Sequence, residues 1–166
     1  MLYTIIGAGI GGLTTALAFE KKGMDYEVFE KAPELNEVGA GIWLAPNALQ
    51  VLESLDVLEA IQAKGNTIDR ITIGKPNLEP LSDSKQDVVK SIFGYTTVAI
   101  HRAALQKILF DQIPTEKITL NKGFRSFEQL DSGKTNVLFE DGSSVETDYL
   151  IGADGINSKV RNQLFP

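Results

Sequence analysis

The chain has 166 residues and 43% hydrophobic content, enough for one globular domain with a hydrophobic core. The net charge of −6 and the pI near 4.8 argue against a nucleic-acid partner, since lysine and arginine supply most of the affinity for a phosphate backbone. Cysteine is absent and His101 is the single histidine, which excludes disulfides and a cysteine nucleophile and argues against a metal site.

The first twenty residues contain an uncharged run from Leu2 to Phe19 that has to be distinguished from a signal peptide or a membrane span. A signal peptide carries a basic segment before its apolar stretch, whereas this run begins at residue 2 and is interrupted by four glycines. We therefore predict a strand, a turn and a helix in a cytoplasmic protein, with no membrane segment.

The start of the chain has the pattern of a βαβ unit. Residues 2–6 are apolar and β-branched, as in a strand that is buried on both faces. Helical spacing of apolar residues begins at Leu13, and Gly23 is a natural helix cap. Residues 25–29 are then predicted to form a second strand, parallel to the first.

The middle of the chain alternates between loops and helices. Residues 33–45 contain a proline and glycines and are predicted to form a long functional loop. An amphipathic helix is expected from Pro46 to about Leu55, and a second helical stretch runs to about Ala63. A further helix is predicted over residues 101–110.

Residues 66–100 differ in character from the flanking sequence. Candidate strands at 67–73 and 97–100 are separated by a polar segment with two prolines. We predict that residues 66–100 are an excursion from the nucleotide fold, forming part of a substrate domain.

The last third of the chain predicts antiparallel strands followed by a return to the parallel sheet. Residues 117–151 contain strand-like runs, and the Asp141-Gly142 pair is a strong hairpin signal. A three-stranded meander is expected here, before a final strand at 149–151 and a short helical turn.

A glycine-rich motif lies in the predicted turn between the first strand and the first helix. Gly7, Gly9 and Gly12 give the spacing G-x-G-x-x-G, with Gly11 beside them, between a strand and a helix. Glu30 follows Gly7 by 23 positions (30 − 7) and ends the second strand, where it can accept hydrogen bonds from ribose hydroxyls. The pattern predicts a dinucleotide site; the alternative is a glycine-rich turn with an acid there by chance.

The motif does not by itself distinguish FAD from NAD. NAD domains continue with further βα units, whereas this chain goes through an excursion and a meander before another parallel strand. The predicted fold class is therefore α/β, a Rossmann-like FAD-binding domain of the glutathione reductase type with an antiparallel β-meander.

Four segments resemble the para-hydroxybenzoate hydroxylase superfamily of group A flavoprotein monooxygenases, in particular its salicylate-hydroxylase-like branch. They span nearly the whole chain: residues 5–13, residues 38–42 with 46–48, residues 101–105, and residues 152–155 with Ser158 and Arg161. The resemblance implies an NAD(P)H-dependent enzyme that hydroxylates a small aromatic substrate through a flavin C4a-hydroperoxide. Because that chemistry belongs to the cofactor, no catalytic residue is assigned.

The resemblance also implies further FAD contacts. Lys31 is placed near the adenosine, Trp43 near the flavin, Arg102 near the pyrophosphate, and Asp154 in a loop at the FAD and NAD(P)H phosphates. Each residue has a simpler alternative: a solvated lysine, a core tryptophan, a surface arginine and an N-capping aspartate. His101 is interpreted as a packing or capping residue.

Relatives in this superfamily continue into a Gly-Asp motif and most of a substrate domain that these 166 residues do not contain. We therefore expect a C-terminally truncated FAD-binding domain, with a homodimer as one way to cover the exposed sheet edge. Two functional alternatives stay open: another FAD oxidoreductase of the same fold, such as an epoxidase or a halogenase-like protein, or a non-catalytic nucleotide-binding module.

Overall fold

The computed structural model describes residues 1–35 and 40–166. Its elements, in chain order, are β1 (Leu2–Ile6), α1 (Ile10–Lys21), β2 (Asp25–Phe29), β3 (Gly41–Leu44), α2 (Pro46–Ser54), α3 (Leu58–Lys64), β4 (Asn66–Thr67), β5 (Arg70–Gly74), β6 (Pro80–Lys85), α4 (Gln86–Phe93), β7 (Val98–His101), α5 (Arg102–Phe110), a 3-10 turn (Thr115–Lys117), β8 (Ile118–Thr119), β9 (Phe124–Gln129), β10 (Thr135–Phe139), β11 (Ser144–Thr147), β12 (Tyr149–Gly152) and α6 (Lys159–Leu164). The described residues form two compact units, 1–35 with 109–166 and 40–108.

The first unit is built on a parallel sheet with the strand order β12-β1-β2-β8. Helix α1 covers one face of this sheet, burying Leu13 and Leu17. The ring of Phe19 in α1 contacts those of Tyr3 and Tyr26, at centroid distances of 4.8 and 6.3 Å. Because the four strands are parallel, their carboxyl ends lie at the same edge of the sheet. This is the edge where α/β folds bind ligands.

The meander β9-β10-β11 is antiparallel and packs on the parallel sheet through a shared core. That core contains Ile6, Phe29, Phe124, Val137, Phe139 and Val160. The rings of Phe29 and Phe139 lie 4.6 Å apart, so an aromatic pair joins sheet and meander. Burying a phenylalanine contributes roughly 1.5–3 kcal/mol, and this packing fixes the meander on β2.

The second unit contains a small antiparallel sheet of order β3-β7-β4 and a separate β5-β6 hairpin. Pro46 begins α2 at the first helical position, where its missing N–H costs nothing. Leu49, Leu52 and Ile61 of α2 and α3 are buried. Helix α4 ends at Gly94, which has the positive φ of +82° that suits a helix C-terminus.

The predicted βαβ unit, meander and final parallel strand are confirmed. Three details were wrong. Strand β3 lies within the predicted loop 33–45 and pairs with β7, and β6 with α4 occupies the polar segment of the excursion. Strand β8, at the start of the run predicted as meander, instead pairs with β2 in the parallel sheet. Assigning residues 66–100 to a substrate domain stays a prediction.

Among the described residues, none of the helices is both long and apolar enough to cross a membrane.

Candidate nucleotide-binding site

The turn after β1 can be built only with glycine at two of its positions. Gly7 has a φ of +105°, and a Cβ there would lie 2.5 Å from the carbonyl oxygen of Ala153. A Cβ on Gly12 would lie 1.9 Å from the carbonyl oxygen of Gly7. The strand end, the start of α1 and the loop after β12 therefore touch through their backbones.

Gly9 and Gly11 differ from these two because they border open space. A Cβ built on either residue meets no atom within 4 Å among the described residues. Gly9 is the N-cap of α1, which receives no side-chain capping hydrogen bond there. An uncapped helix N-terminus presents unpaired N–H groups and a partial positive charge, so this opening is suited to an anion such as a pyrophosphate.

Glu30 lies beside this turn, at the end of β2. One of its carboxylate oxygens accepts a hydrogen bond from the N–H of Ala8 at 2.7 Å, and the other accepts from the N–H of Ala32 at 2.9 Å. A carboxylate has about four lone-pair sites, so capacity is left for the hydroxyl groups of a sugar. The sequence predicted the place of Glu30 but not its contacts to the backbone of the turn.

The loop that contains Asp154 lies next to the glycine turn because β12 and β1 are neighbouring parallel strands. The N–H of Ala153 donates to the carbonyl oxygen of Ile6 at 2.8 Å. Asp154 accepts from the Ser158 hydroxyl at 2.5 Å and from the N–H of Lys159 at 2.7 Å. Asp154 therefore caps α6 and, at the same time, lies in the loop beside the glycine turn.

The ionisation of Asp154 is set by opposing effects. Burial disfavours the charged carboxylate, but the hydrogen bonds from Ser158, Val160 and Lys159 outweigh burial and lower the pKa of Asp154 below its ordinary value of 3.8. The carboxylate is therefore a fixed negative charge at neutral pH that cannot itself attract phosphate. The hydrogen bonds that it accepts from Ser158 and Lys159 instead fix the shape of the loop 152–155.

Lys31 is exposed and follows Glu30 directly. The hydrogen bond and the charge of Lys159 lower the pKa of Glu140 against the opposing effect of burial, and the charge of Lys31 adds a still smaller lowering effect. Lys31 therefore acts on the ionisation of Glu140 only weakly, through its charge. Its ammonium group remains accessible to solvent.

Two predicted contacts fall in the second unit. Trp43 lies in β3 with 61% of its surface exposed, so it is not a core residue of the unit that the structure describes. Arg102 is the exposed first residue of α5, and its N–H donates to the carbonyl oxygen of Ala40 at 3.2 Å. His101 ends β7, opposite Gly41. The loop motif at Val38 and Gly39 lies outside the described residues.

Several residues of the candidate site could not be identified as site residues from the sequence. The backbones of Ala8, Ala32 and Ala153 contribute through N–H or carbonyl groups, which any residue type carries. Lys159 and Glu140 meet only because the meander packs beside α6. Among the residues the structure describes, no cluster of histidine, aspartate and glutamate is arranged to hold a metal ion.

The parallel sheet, the glycine turn and the acid at the end of β2 define a Rossmann-like dinucleotide-binding unit. The model of the FAD binding domain family matches residues 2–165, and the chain belongs to this family. The predicted α/β FAD-binding fold and the FAD cofactor are thereby confirmed.

Curated relatives agree with this family. The chain is 35% identical over 160 residues to the aurachin C monooxygenase/isomerase of Stigmatella aurantiaca, a match covering 96% of the chain and 42% of that protein. It is also 35% identical over 165 residues to 3-hydroxybenzoate 6-hydroxylase 1 of Aquipseudomonas alcaligenes, with the same coverage of 96% and 42%. The chain thus spans about two fifths of the length of these relatives.

Solved structures share the fold. Klebsiella pneumoniae HpxO, as the R204Q variant complexed with FAD, superposes with a TM-score of 0.84 at 29% identity, over 95% of this chain and 40% of that one. The tetrameric form of 2-methyl-3-hydroxypyridine-5-carboxylic acid oxygenase gives a TM-score of 0.83 at 26% identity, over 99% and 42%. This chain is therefore the FAD-binding portion of a flavoprotein fold.

Proposed function

We propose that the chain is the FAD-binding portion of an NAD(P)H-dependent monooxygenase that hydroxylates a small aromatic substrate. The observation that carries the FAD site is the uncapped N-terminus of α1, facing open space at Gly9 and Gly11 beside the Glu30 carboxylate. Open space at the helix N-terminus fits a pyrophosphate, and the adjacent carboxylate fits a ribose. FAD contains both groups.

We assign the adenosine diphosphate half of FAD to residues of the first unit. Gly9 and Gly11 let the pyrophosphate approach the start of α1, and Gly7 with Gly12 allows the turn to close. Glu30 accepts from ribose hydroxyls with the lone pairs that Ala8 and Ala32 leave available. Lys31, exposed beside Glu30, lies along the adenosine.

The remaining proposed contacts divide between the two units. Asp154 shapes the loop beside Gly7 for the phosphates, as its hydrogen bonds to the start of α6 support. In the second unit, the exposed indole of Trp43 and the exposed guanidinium of Arg102 are available to the cofactor, and a guanidinium fork suits phosphate oxygens.

The monooxygenase activity is proposed from the relatives. Two of them are named as a monooxygenase/isomerase and a 3-hydroxybenzoate 6-hydroxylase, and HpxO has been solved with FAD and uric acid. The first two names state oxygenation, and hydroxybenzoate and uric acid are both small ring compounds. Bound reduced flavin supplies the oxygen-activating chemistry, while the protein binds, orients and excludes water.

The activity is tested in a protein that contains this chain together with its substrate-binding region. We expect NAD(P)H oxidation to accelerate with a hydroxybenzoate or a uric-acid-like ring, and one atom of ¹⁸O₂ to enter the product. NAD(P)H oxidation without label in the product, across such a panel, contradicts hydroxylation but leaves the FAD site intact.

We also propose a cytoplasmic location and self-association. In the sheet that the structure describes, β12 is an edge strand, and its Tyr149 is exposed, as are Leu164 in α6 and the following Phe165. Pairing with a second copy would cover such an edge. Light scattering of these 166 residues should give a dimer, and a monomer at micromolar concentration contradicts this assignment.

A further inference from the structure

Glu140, directly after β10, is held in a specific place by the start of the meander. Its N–H donates to the carbonyl oxygen of Gly123 at 2.8 Å. Its carboxylate lies over Gly123 so closely that a Cβ there would come within 2.2 Å of Oε2. The side chain therefore has a defined position although 57% of its surface is exposed.

The carboxylate of Glu140 binds Lys159 at the beginning of α6. The Nζ of Lys159 donates to Oε1 of Glu140 at 2.5 Å and to the carbonyl oxygen of Phe124 at 3.3 Å. The two contacts fix the first residue of α6 against the first residue of β9. This is a link between two segments that are 35 residues apart in sequence.

The backbone of Lys159 extends the link to the glycine turn. Its N–H donates to Asp154 at 2.7 Å, and the carbonyl oxygen of the preceding Ala153 covers Gly7. Lys159 thus binds the meander with its side chain and the loop 152–155 with its backbone. Displacing α6 from the meander moves one wall of the turn.

The segment under Glu140 also reaches the other wall of the turn, because the N–H of Lys122, next to Gly123, donates to the carbonyl oxygen of Glu30 at 2.8 Å. Lys31 contributes to the lowered pKa of Glu140, after the larger effects of the hydrogen bond and charge of Lys159. Lys31 follows Glu30, whose carboxylate holds the N–H of Ala8. Glu140 therefore lies over a segment that is hydrogen-bonded to Glu30, while its carboxylate binds Lys159 on the other side.

We infer that Glu140 is a positioning residue for the FAD site, acting through Lys159 on the loop 152–155. The inference rests on the proposed use of this turn for the FAD pyrophosphate. An exposed ion pair contributes little to global stability, so the effect of losing it falls on loop geometry and cofactor retention. Glu140 has no part in the chemistry itself.

The test compares two surface ion pairs of the same unit. Glu140→Gln removes the pair with Lys159, and Asp25→Asn removes the pair with Lys117 (2.9 Å), which lies at the amino end of the strands, away from the turn. We expect Glu140→Gln to raise the Kd for FAD by up to about fivefold, the upper end of what one such pair contributes, while Asp25→Asn leaves it unchanged. Equal effects of both variants overturn the inference.

A thermodynamic cycle identifies the route of action. Lys159→Met keeps the N–H to Asp154 and removes only the ammonium group. If Glu140 acts through Lys159, the double variant binds FAD no more weakly than Lys159→Met alone. Additive losses contradict this route.

Hydrogen exchange without FAD separates this inference from the cofactor assignment. Glu140→Gln should speed exchange of the amides of Ala153 and Lys159 at an unchanged Tm, with no such change in Asp25→Asn. Unchanged exchange overturns the positioning role even if wild type binds FAD. If Glu140→Gln exchanges faster but the wild-type chain binds no FAD, the loop coupling is supported and the FAD site is refuted.

Discussion

The glycines of the turn after β1 serve different purposes, which their surroundings distinguish. Gly7 and Gly12 are enclosed by backbone, with a Cβ brought to 2.5 and 1.9 Å of carbonyl oxygens. Gly9 and Gly11 border open space. The first pair therefore concerns folding of the turn, and the second concerns what binds beside it.

Substitution at Gly12 tests the folding requirement. Gly12→Ala should lower the free energy of unfolding by about 3 kcal/mol, because the methyl group overlaps the Gly7 carbonyl. Gly11→Ala is the matched control and should raise it by about 0.5–1 kcal/mol, since alanine favours helix and the space is empty. Urea denaturation measures both. Equal stability of the two variants contradicts the packing described for Gly12.

Substitution at Gly9 tests the binding requirement. Gly9 has extended backbone angles of −72° and 178° that alanine also adopts, so Gly9→Ala should keep the wild-type Tm. Its methyl group would project into the space proposed for the pyrophosphate, and we expect FAD binding to weaken at least tenfold. Flavin fluorescence titration measures this, and wild-type affinity in Gly9→Ala would place the phosphates elsewhere.

Glu30 combines a structural and a ligand-binding role. Glu30→Ala removes the acceptor for the N–H groups of Ala8 and Ala32 as well as the proposed ribose contact, so the Kd for FAD should rise about ten- to hundredfold. Glu30→Gln keeps the side-chain shape and one acceptor oxygen, so its loss should be smaller. If Glu30→Ala retains FAD as well as wild type does, Glu30 does not bind the cofactor.

At the scale of elements, α6 is capped by Asp154 and Ser158 together. The Ser158 hydroxyl donates to Asp154 and accepts from the N–H of Arg161 at 2.9 Å. A six-residue helix has little intrinsic stability, so these capping bonds hold it and the loop before it.

This cap makes stability depend on pH. Because the pKa of Asp154 is lowered in the folded chain, its ionised form stabilises the fold above the ordinary value of 3.8, and that contribution is lost as the pH falls through the lowered pKa. Asp154→Asn should therefore be less stable than wild type at pH 7, with the gap closing below about pH 3.8. Urea midpoints across pH 2–7 measure the gap, and a constant gap contradicts the lowered pKa.

The elements that the sequence predicted well are those determined by local signals. The β1-α1-β2 unit has glycines and apolar periodicity, and β10-β11 has the Asp141-Gly142 turn, where Gly142 adopts a φ of +84°. Strand β3 was missed because its pairing partner β7 is distant in sequence. Helix α4 was missed although Val88, Val89, Ile92 and Phe93 recur at helical spacing, because the polar residues of β6 just before it gave the whole segment the composition of a loop.

At the scale of the whole molecule, the sequence predicts which residues belong to the nucleotide site better than it predicts the contacts that those residues make. Gly7, Gly9, Gly12 and Glu30 follow from spacing alone, since the motif encodes its own geometry. The contact of Ala153 with Gly7 depends on β12 pairing with β1 after more than 140 residues. The Glu140–Lys159 pair depends on packing of the meander against α6, which the local sequence does not encode.

The measurement that tests the central claim most directly is titration of the 166-residue chain with FAD and, in parallel, with FMN. FMN carries the same flavin ring but lacks the adenosine half that the glycine turn and Glu30 are proposed to bind. We predict one FAD per chain and at least a hundredfold weaker binding of FMN, with FAD raising the Tm. No binding of FAD, or equal binding of FAD and FMN, would contradict the claim.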